Sequence, residues 1–255
     1  MVKNIAIVSL SSGVLGEGFV AHEVEIGLKR LRDCGLNVRF MPHALKGLAY
    51  VKEHPEDRAA DLLAALHDPE TDMILCALGG DDTYRLLPYL FEHDALRQAA
   101  HNKIFLGFSD TTINHLMLHK VGLNTFYGQA FLPDVCELDT EMLPYTRRYF
   151  EELRVLLNIR QALQGGGHEP DVQSAVPALL QGPAVFSGKI LGGCIDTLFD
   201  CFDGTRYADM PGLCQKYGLF PDREDWRGRI LLLESSEEQM APAKYKKALE
   251  YLKDA

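Results

Sequence analysis

The segment Lys103-Ile-Phe-Leu-Gly-Phe-Ser-Asp-Thr-Thr-Ile113 carries the pattern that decides the fold. Its apolar residues 104–107 predict a short buried strand, and a helical pattern starts at Asp110. A serine at such a turn, here Ser109, is pushed out of the sheet, and free N–H groups of the next helical turn surround it. This is the arrangement of a nucleophile elbow, although Thr111 stands where the usual elbow has glycine. Because helix caps are far commoner than nucleophiles, the local pattern alone favours a capping residue.

Strands and helices alternate through the first part of the chain. This alternation predicts a Rossmann-like α/β domain with a parallel sheet. In such sheets, ligands bind beyond the carboxyl ends of the strands, where the loops 11–16, 79–82 and 108–111 lie. The predicted strands are 4–10, 37–41, 72–78, 104–107 and 124–127, and the predicted helices are 20–34, 58–67, 83–91, 110–120 and 141–157.

The domain organisation follows from a change in composition. We expect a nucleophile-bearing α/β domain at 1–160, a glycine-rich polar linker at 161–180 and a smaller C-terminal domain at 181–255. In the last part, a helix is predicted at 194–202, a strand at 228–234 and a helix at 243–253. No strand pattern follows that helix, so we expect the second domain to be incomplete in this sequence.

Composition excludes several classes of protein. The 255 residues carry a net charge of -10, which disfavours a nucleic-acid partner because neutralising phosphates requires clustered Lys and Arg. No apolar run approaches the length of a membrane span, so we expect no membrane partner. The six cysteines show no C-x-x-C spacing. They are typical of reduced thiols in a cytoplasmic protein without a zinc site.

Several further residues are candidates for a site, each with a structural alternative. Glu234 ends an apolar strand and either orients a histidine base or caps the next turn. Gly79 and Gly80 follow a strand; with the N–H of Asp110 they form an oxyanion hole or, alternatively, a tight turn. The pair 192–193 has the same ambiguity.

A serine nucleophile needs a base, and none of the nine histidines lies after Glu234. His115 and His119 lie on the helix that follows Ser109, roughly 9 and 15 Å along its axis, so neither is expected to face back to the hydroxyl. His168 lies in the linker. The other histidines are typical of surface or satisfied core positions, or lie at the other end of the sheet.

An ordered set of motifs carries a family resemblance. It resembles the LD-carboxypeptidase family of serine peptidases, and more closely its microcin C self-immunity branch, over most of 1–157 and 180–255. This resemblance reverses the local preference for a capping role at Ser109 and Glu234. The motifs are Ala77-Leu-Gly-Gly-Asp81, Gly107-Phe-Ser-Asp-Thr-Thr112, Tyr127-Gly-Gln-Ala-Phe-Leu132, the Pro144-Tyr145 region, Ser187-Gly-Lys-Ile-Leu-Gly-Gly193 and Leu231-Leu-Leu-Glu234.

The resemblance implies a cytoplasmic homodimer with a Rossmann-like N-terminal domain and a β-rich C-terminal domain, using a Ser-Glu-His arrangement without metal or cofactor. Ser109 is then the nucleophile and Glu234 orients the histidine. Asp110 and a glycine of 79–80 supply the oxyanion hole, while Ser11, Gly192 and Gly193 are candidates for substrate binding. The family releases terminal D-alanine from murein tetrapeptides. The self-immunity branch cleaves the amide that joins a peptide or amino acid to a modified nucleotide.

Two departures from the family pattern bear on activity. The family's histidine lies tens of residues beyond the glutamate, so the sequence is either a fragment or lacks that histidine, and we expect this chain to be inactive or weak. The self-immunity branch carries an aromatic residue that stacks on the nucleotide base, and Trp226 does not match its position.

Two other functions remain as alternatives. Gly79-Gly-Asp-Asp-Thr83 also resembles the Gly-Gly-Asp-x-Thr motif of phosphofructokinase-like and NAD-kinase-like enzymes, where the aspartate helps to hold Mg²⁺. The second alternative is a non-catalytic paralogue that binds a peptide or nucleotide conjugate.

Overall fold

A computed structural model describes residues 2–101, 103–155 and 187–254. Its main sheet has five parallel strands in the order β2-β1-β3-β4-β5. Chain order reverses at β1, which pairs with β2 on one side and β3 on the other, so a topological switch point lies between β1 and β3. The strands are β1 (Asn4–Val8), β2 (Asn37–Phe40), β3 (Met73–Cys76), β4 (Ile104–Gly107) and β5 (Phe126–Tyr127).

Helices connect these strands and cover both faces of the sheet. Ala6 and Val8 of β1 belong to one apolar cluster, whereas Ile5 and Ile7 belong to the cluster on the opposite face. The sheet is therefore buried on both sides, as parallel sheets require, and the predicted α/β class is confirmed. The helices are α1 (Ala21–Asp33), α2 (Leu48–Glu53), α3 (Pro55–His67), α4 (Leu87–Phe91), α5 (Ala95–Ala99), α6 (Thr112–Lys120) and α7 (Pro144–Val155).

One predicted helix is divided in two. Residues 83–91 form a 3₁₀ turn over Thr83–Leu86 and then α4. Pro88 stands in the first turn of α4, and its missing N–H cannot continue the hydrogen-bond ladder from the residues before it.

The C-terminal part contains a second, small sheet. The strands β6 (Lys189–Cys194) and β7 (Arg229–Glu234) pair in parallel, with Cys194 opposite Glu234. The predicted strand and the two predicted helices of this part are present, whereas the linker 161–180 lies outside the described residues. The helices are α8 (Ile195–Asp200), α9 (Met210–Lys216), α10 (Arg223–Trp226) and α11 (Pro242–Asp254).

The C-terminal part packs on the helices that cover one face of the main sheet. Leu191, Leu198 and Cys201 share an apolar cluster with Tyr84 and Ile113 from the first part of the chain. This packing brings the carboxyl ends of β6 and β7 next to the carboxyl end of β4.

Candidate functional site

Ser109 lies at a strained turn between β4 and α6. Its φ is 59°, in the left-handed region that serine rarely adopts, and it begins a 3₁₀ turn that leads into the helix. Such strain persists only where the surroundings fix the residue, and it recurs at functional sites. As the second residue of the turn, Asp110 has no acceptor within the helix for its N–H. The elbow predicted from the sequence is therefore present as a backbone geometry.

Gly79 lies directly against this turn. A Cβ at Gly79 would stand 2.8 Å from the Cβ and 3.0 Å from the Oγ of Ser109, and 3.6 Å from the Asp110 nitrogen. Only glycine allows the loop after β3 to approach the serine so closely. Gly80 continues this loop against Ser11, whose carbonyl oxygen would lie 2.6 Å from an added Cβ. The structure thus gathers Ser11, Gly79, Gly80, Ser109 and Asp110, as predicted from the order of the loops.

Glu234 reaches the elbow through a tyrosine. The Ser109 N–H donates to the Tyr127 hydroxyl over 3.0 Å, and that hydroxyl donates to Glu234 Oε2 over 2.5 Å. Burial raises the pKa of Tyr127 far above its ordinary value, and the Glu234 carboxylate raises it further. The hydroxyl therefore keeps its proton and remains a donor to Glu234.

The two glycines of β6, Gly192 and Gly193, each lie where a side chain would collide with a neighbouring residue. A Cβ at Gly193 would lie 2.5 Å from Thr112 Oγ1 and 3.0 Å from Tyr127 Cε2, so this glycine lets β6 touch the elbow. A Cβ at Gly192 would lie 2.1 Å from the carbonyl oxygen of Leu232, so that glycine serves the pairing of β6 with β7.

The side chain of Asp110 points away from solvent. Its carboxylate accepts the Thr83 N–H over 3.0 Å, and the residue is 3% exposed. Burial raises the pKa of Asp110 to about 6, while the Thr83 hydrogen bond opposes the rise. Asp110 therefore anchors the start of the turn after β3 to the elbow.

A buried ion pair supports the same loop. Arg58 of α3 is 1% exposed and donates to Asp82 Oδ1 over 2.6 Å and to the Leu10 carbonyl over 3.0 Å. It therefore joins the carboxyl ends of β1 and β3 at the switch point. The neighbouring Asp81 accepts a hydrogen bond from the Tyr207 hydroxyl over 2.7 Å.

A cleft opens beside this loop. Its volume is about 350 Å³, and it lies at the switch point where α/β sheets bind ligands. Ser11 and Gly80 line it on the side of the elbow, and Leu48 and Lys52 of α2 line the opposite wall.

Three histidines in the described part of the chain are engaged by other groups. Both ring nitrogens of His115 lie within hydrogen-bond distance of other groups, the Gly107 carbonyl at 3.0 Å and Thr125 Oγ1 at 2.7 Å, and burial lowers its pKa to about 4. His43 bonds to Asp61 at 2.9 Å, and His119 lies 3.5 Å from Asp225. Among described side chains, no histidine hydrogen-bonds to Ser109 or Glu234.

Residues 2–101, 103–155 and 187–254 contain no group of three or more His, Cys, Asp or Glu side chains arranged to hold a metal ion. None of their helices is long and apolar enough to cross a bilayer.

Sequence reasoning missed the roles of three residues. Tyr127 and Thr112 connect the candidate residues, and Arg58 joins the loops after β1 and β3, yet the sequence presents each only as part of a motif or a helix. The first two lie in the quoted motifs, which was the available signal.

The fold and site define an α/β protein with a strained serine at a strand-to-helix turn. Residues 5–128 match the family model of the LD-carboxypeptidase N-terminal domain. The chain aligns along its whole length, at 56% identity and a TM-score of 0.90, with 78% of the crystal structure of an MccF-like protein from Streptococcus pneumoniae in complex with AMP. The chain belongs to the LD-carboxypeptidase family, in its branch of proteins like the microcin C self-immunity protein.

Other relatives are more distant. A Streptomyces coelicolor protein named as a carboxypeptidase is 32% identical over 76% of this chain, and a murein tetrapeptide carboxypeptidase of Pseudomonas aeruginosa is 29% identical over 71%. The chain spans 57% and 56% of these two relatives. The microcin C7 self-immunity protein, in complex with aspartyl sulfamoyl adenosine, shares the fold at 20% identity and a TM-score of 0.69, over 98% of this chain and 73% of that one.

Proposed function

We propose that this chain carries the serine nucleophile and the orienting carboxylate of a carboxypeptidase that cleaves a C-terminal amide through an acyl-enzyme. The observation that carries the proposal is the position of Ser109, strained at the elbow against Gly79 and connected to Glu234. Family membership supports the same reaction class.

The proposed reaction assigns a step to each group. Ser109 Oγ adds to the amide carbonyl carbon, and a histidine base accepts the hydroxyl proton. The N–H of Asp110 and one N–H of the 79–80 loop stabilise the oxyanion. The C–N bond then breaks, the amine leaves with the proton, and water hydrolyses the acyl-serine. Glu234 holds the histidine in the correct tautomer and stabilises its charged form.

No histidine among the described residues hydrogen-bonds to Ser109, so we expect turnover by these 255 residues to be weak. The oxyanion hole and substrate binding alone still support slow reaction.

The proposed substrate is a small peptide, or a peptide or amino acid joined to a nucleotide. The relatives support both, because one is named for murein tetrapeptides and two are crystallised with AMP or an aminoacyl nucleoside analogue. The cleft beside Ser11 and Gly80 takes one part of this substrate, and Gly193, which lies against Thr112 and Tyr127, contacts another part near the elbow. We also propose that the protein is a cytoplasmic homodimer. Size-exclusion chromatography with light scattering tests the dimer.

Labelling with a fluorophosphonate probe, read by intact mass and peptide mapping, tests the nucleophile. We expect modification at Ser109 that is slow, as the weak turnover implies, that is absent in Ser109→Ala and that is slower still in Glu234→Gln. A folded chain that is never modified at Ser109 would contradict an activated serine and favour a non-catalytic binding paralogue. Hydrolysis of a tetrapeptide with terminal D-alanine, compared with hydrolysis of an aminoacyl sulfamoyl adenosine, separates the two substrate classes.

The phosphotransferase alternative has less support. Asp82 is engaged by buried Arg58, and Asp81 accepts a hydrogen bond from Tyr207, so both carboxylates have partners other than a magnesium ion. Calorimetry with Mg²⁺ and ATP tests this alternative. Binding at micromolar nucleotide would support the phosphotransferase alternative, and the absence of heat at millimolar nucleotide would rule it out.

A further inference from the structure

Both peptide groups of Ser109 are held by side-chain hydroxyls. The N–H donates to Tyr127 over 3.0 Å, and the carbonyl accepts from the Thr112 hydroxyl over 2.7 Å. Helix hydrogen bonds do not provide the first of these contacts, because the first N–H groups lack intrahelical partners. The Ser109 carbonyl also accepts the backbone N–H of Thr112.

Each of these hydroxyls also contacts the second sheet. Tyr127 donates to Glu234 Oε2 over 2.5 Å, and Thr112 Oγ1 accepts the Cys194 N–H over 3.0 Å. Cys194 and Glu234 are opposite each other in the register of β6 and β7. The two hydroxyls therefore connect one strained residue to one pair of neighbouring residues in the C-terminal part.

A glycine in β6 leaves room for these contacts between the elbow and the second sheet. Gly193 brings β6 against both hydroxyl-bearing side chains, since an added Cβ would lie 2.5 Å from Thr112 Oγ1 and 3.0 Å from Tyr127 Cε2. Tyr127 is placed by its own strand, where it pairs with Gly107 beside the elbow.

We propose that Tyr127 and Thr112 form a clamp that positions the nucleophile against its orienting carboxylate, with Tyr127 as the positioning residue for both Ser109 and Glu234. The inference rests on the proposed function, because the clamp positions a nucleophile only if Ser109 is that nucleophile. The hydroxyl of Tyr127 fixes one oxygen of Glu234, which leaves the other oxygen for the base that the proposed function requires. It also holds Ser109 in its left-handed conformation, so that Oγ faces the site.

The first test does not depend on catalytic activity. Hydrogen exchange by NMR follows the Ser109 amide in the wild-type chain, in Tyr127→Phe and in a matched control, Tyr50→Phe. Tyr50 also donates to a carboxylate, Asp57, over 2.5 Å, but it lies on α2. Exchange of the Ser109 amide should accelerate about two- to tenfold in Tyr127→Phe, the range expected for one hydrogen bond, and should not change in Tyr50→Phe.

The Thr111 amide is an internal reference, because it donates to the backbone carbonyl of Phe108 and should not change. Thr112→Val, which removes the other hydroxyl of the clamp while keeping the side-chain shape, gives a second variant. We expect it to accelerate Ser109 exchange as well. Unchanged exchange in both folded variants would overturn the clamp.

The second test measures positioning. The dependence of Ser109 modification on fluorophosphonate concentration separates probe binding from the rate of reaction. We expect Tyr127→Phe to lower the reaction rate by about tenfold to a hundredfold with unchanged probe binding, because small displacements of a reacting group have effects of this size. Tyr50→Phe should retain the wild-type rate.

The outcomes separate the two proposals. A wild-type chain that is not modified at Ser109 counts against the proposed function, and amide exchange then decides the clamp by itself. A wild-type chain that is modified, with an equal rate in Tyr127→Phe, overturns the positioning role and leaves the proposed function intact.

Discussion

At the scale of single residues, the strain at Ser109 is the feature that distinguishes this turn from an ordinary helix start. A φ of 59° places its Cβ near the following carbonyl, a conformation that glycine adopts freely and other residues avoid. A serine is retained there although glycine would fit the backbone better, which is consistent with a role for its hydroxyl.

This strain predicts an inverted order of stability. Ser109→Gly should be more stable than Ser109→Ala by about 1 kcal/mol, because alanine retains the left-handed penalty and glycine removes it. Urea unfolding of the two variants measures the difference. Ser12 does not have a positive φ, and the same pair of substitutions there should give alanine the advantage. Equal effects at both positions would mean that the turn is unstrained.

The buried carboxyl of Asp110 gives stability a dependence on pH. Burial raises its pKa to about 6 in the folded state, so the folded chain holds more protons than the unfolded chain between about pH 4 and 6. Stability contributed by this group therefore falls as pH rises through that window and is constant above it. Asp110→Asn keeps an acceptor for the Thr83 N–H but has no proton to lose.

The unfolding free energy of Asp110→Asn relative to wild type should therefore increase by up to roughly 3 kcal/mol between pH 4 and pH 7. Urea unfolding at several pH values measures it. Asp200, whose pKa burial also raises to about 6, titrates in both proteins and cancels in the subtraction. Parallel curves for the two proteins would show that Asp110 titrates at its ordinary pKa.

At the scale of elements, the contact between β6 and the elbow depends on a residue without a side chain. Gly193→Ala should destabilise the chain by about 1–3 kcal/mol, because the new methyl overlaps Thr112 and Tyr127 and the backbone φ is 144°. Thermal and urea unfolding measure the loss. Gly212 in α9 has open space around it, so Gly212→Ala should be neutral or stabilising. Similar losses in both variants would contradict the close approach of β6.

Local pattern was sufficient for the strands of the main sheet, but it did not predict β6, α2, α9 or α10, nor the arrangement of the elements. The strand at 104–107 and the turn after it follow from an apolar run that gives way to helical periodicity, which is information within ten or so residues. The contact of Tyr127 with Glu234 joins residues 107 apart, and no local periodicity encodes it. Arg58 has the character of an exposed helical charge, yet Asp82 and Leu10 hold it inside.

At the scale of the whole molecule, the candidate site lies where two parts of the chain meet. The elbow and its glycine loop come from the main sheet, whereas Glu234 comes from the second sheet. The apolar cluster beneath them contains Ile113 and Tyr84 from the first part and Leu198 and Met210 from the second. Neither part has all of that cluster alone, so the stability of each depends on the other.

The shared cluster predicts that both parts unfold together. The single tryptophan, Trp226, packs on Phe220 and reports the C-terminal part by fluorescence, while circular dichroism reports the whole chain. In urea the two signals should change in one coincident transition. Leu198→Ala, at a site with no exposed surface, should shift both signals equally, with a loss of about 2–5 kcal/mol.

An exposed control distinguishes this loss from a general effect of substitution. Leu231 is 46% exposed on β7, so Leu231→Ala should change the unfolding free energy by much less than Leu198→Ala. If the fluorescence transition in the wild-type chain precedes the circular dichroism transition, the C-terminal part unfolds independently. The connection between Ser109 and Glu234 would then form only after two separately stable units dock. The main sheet alone would then have to maintain the left-handed conformation of Ser109.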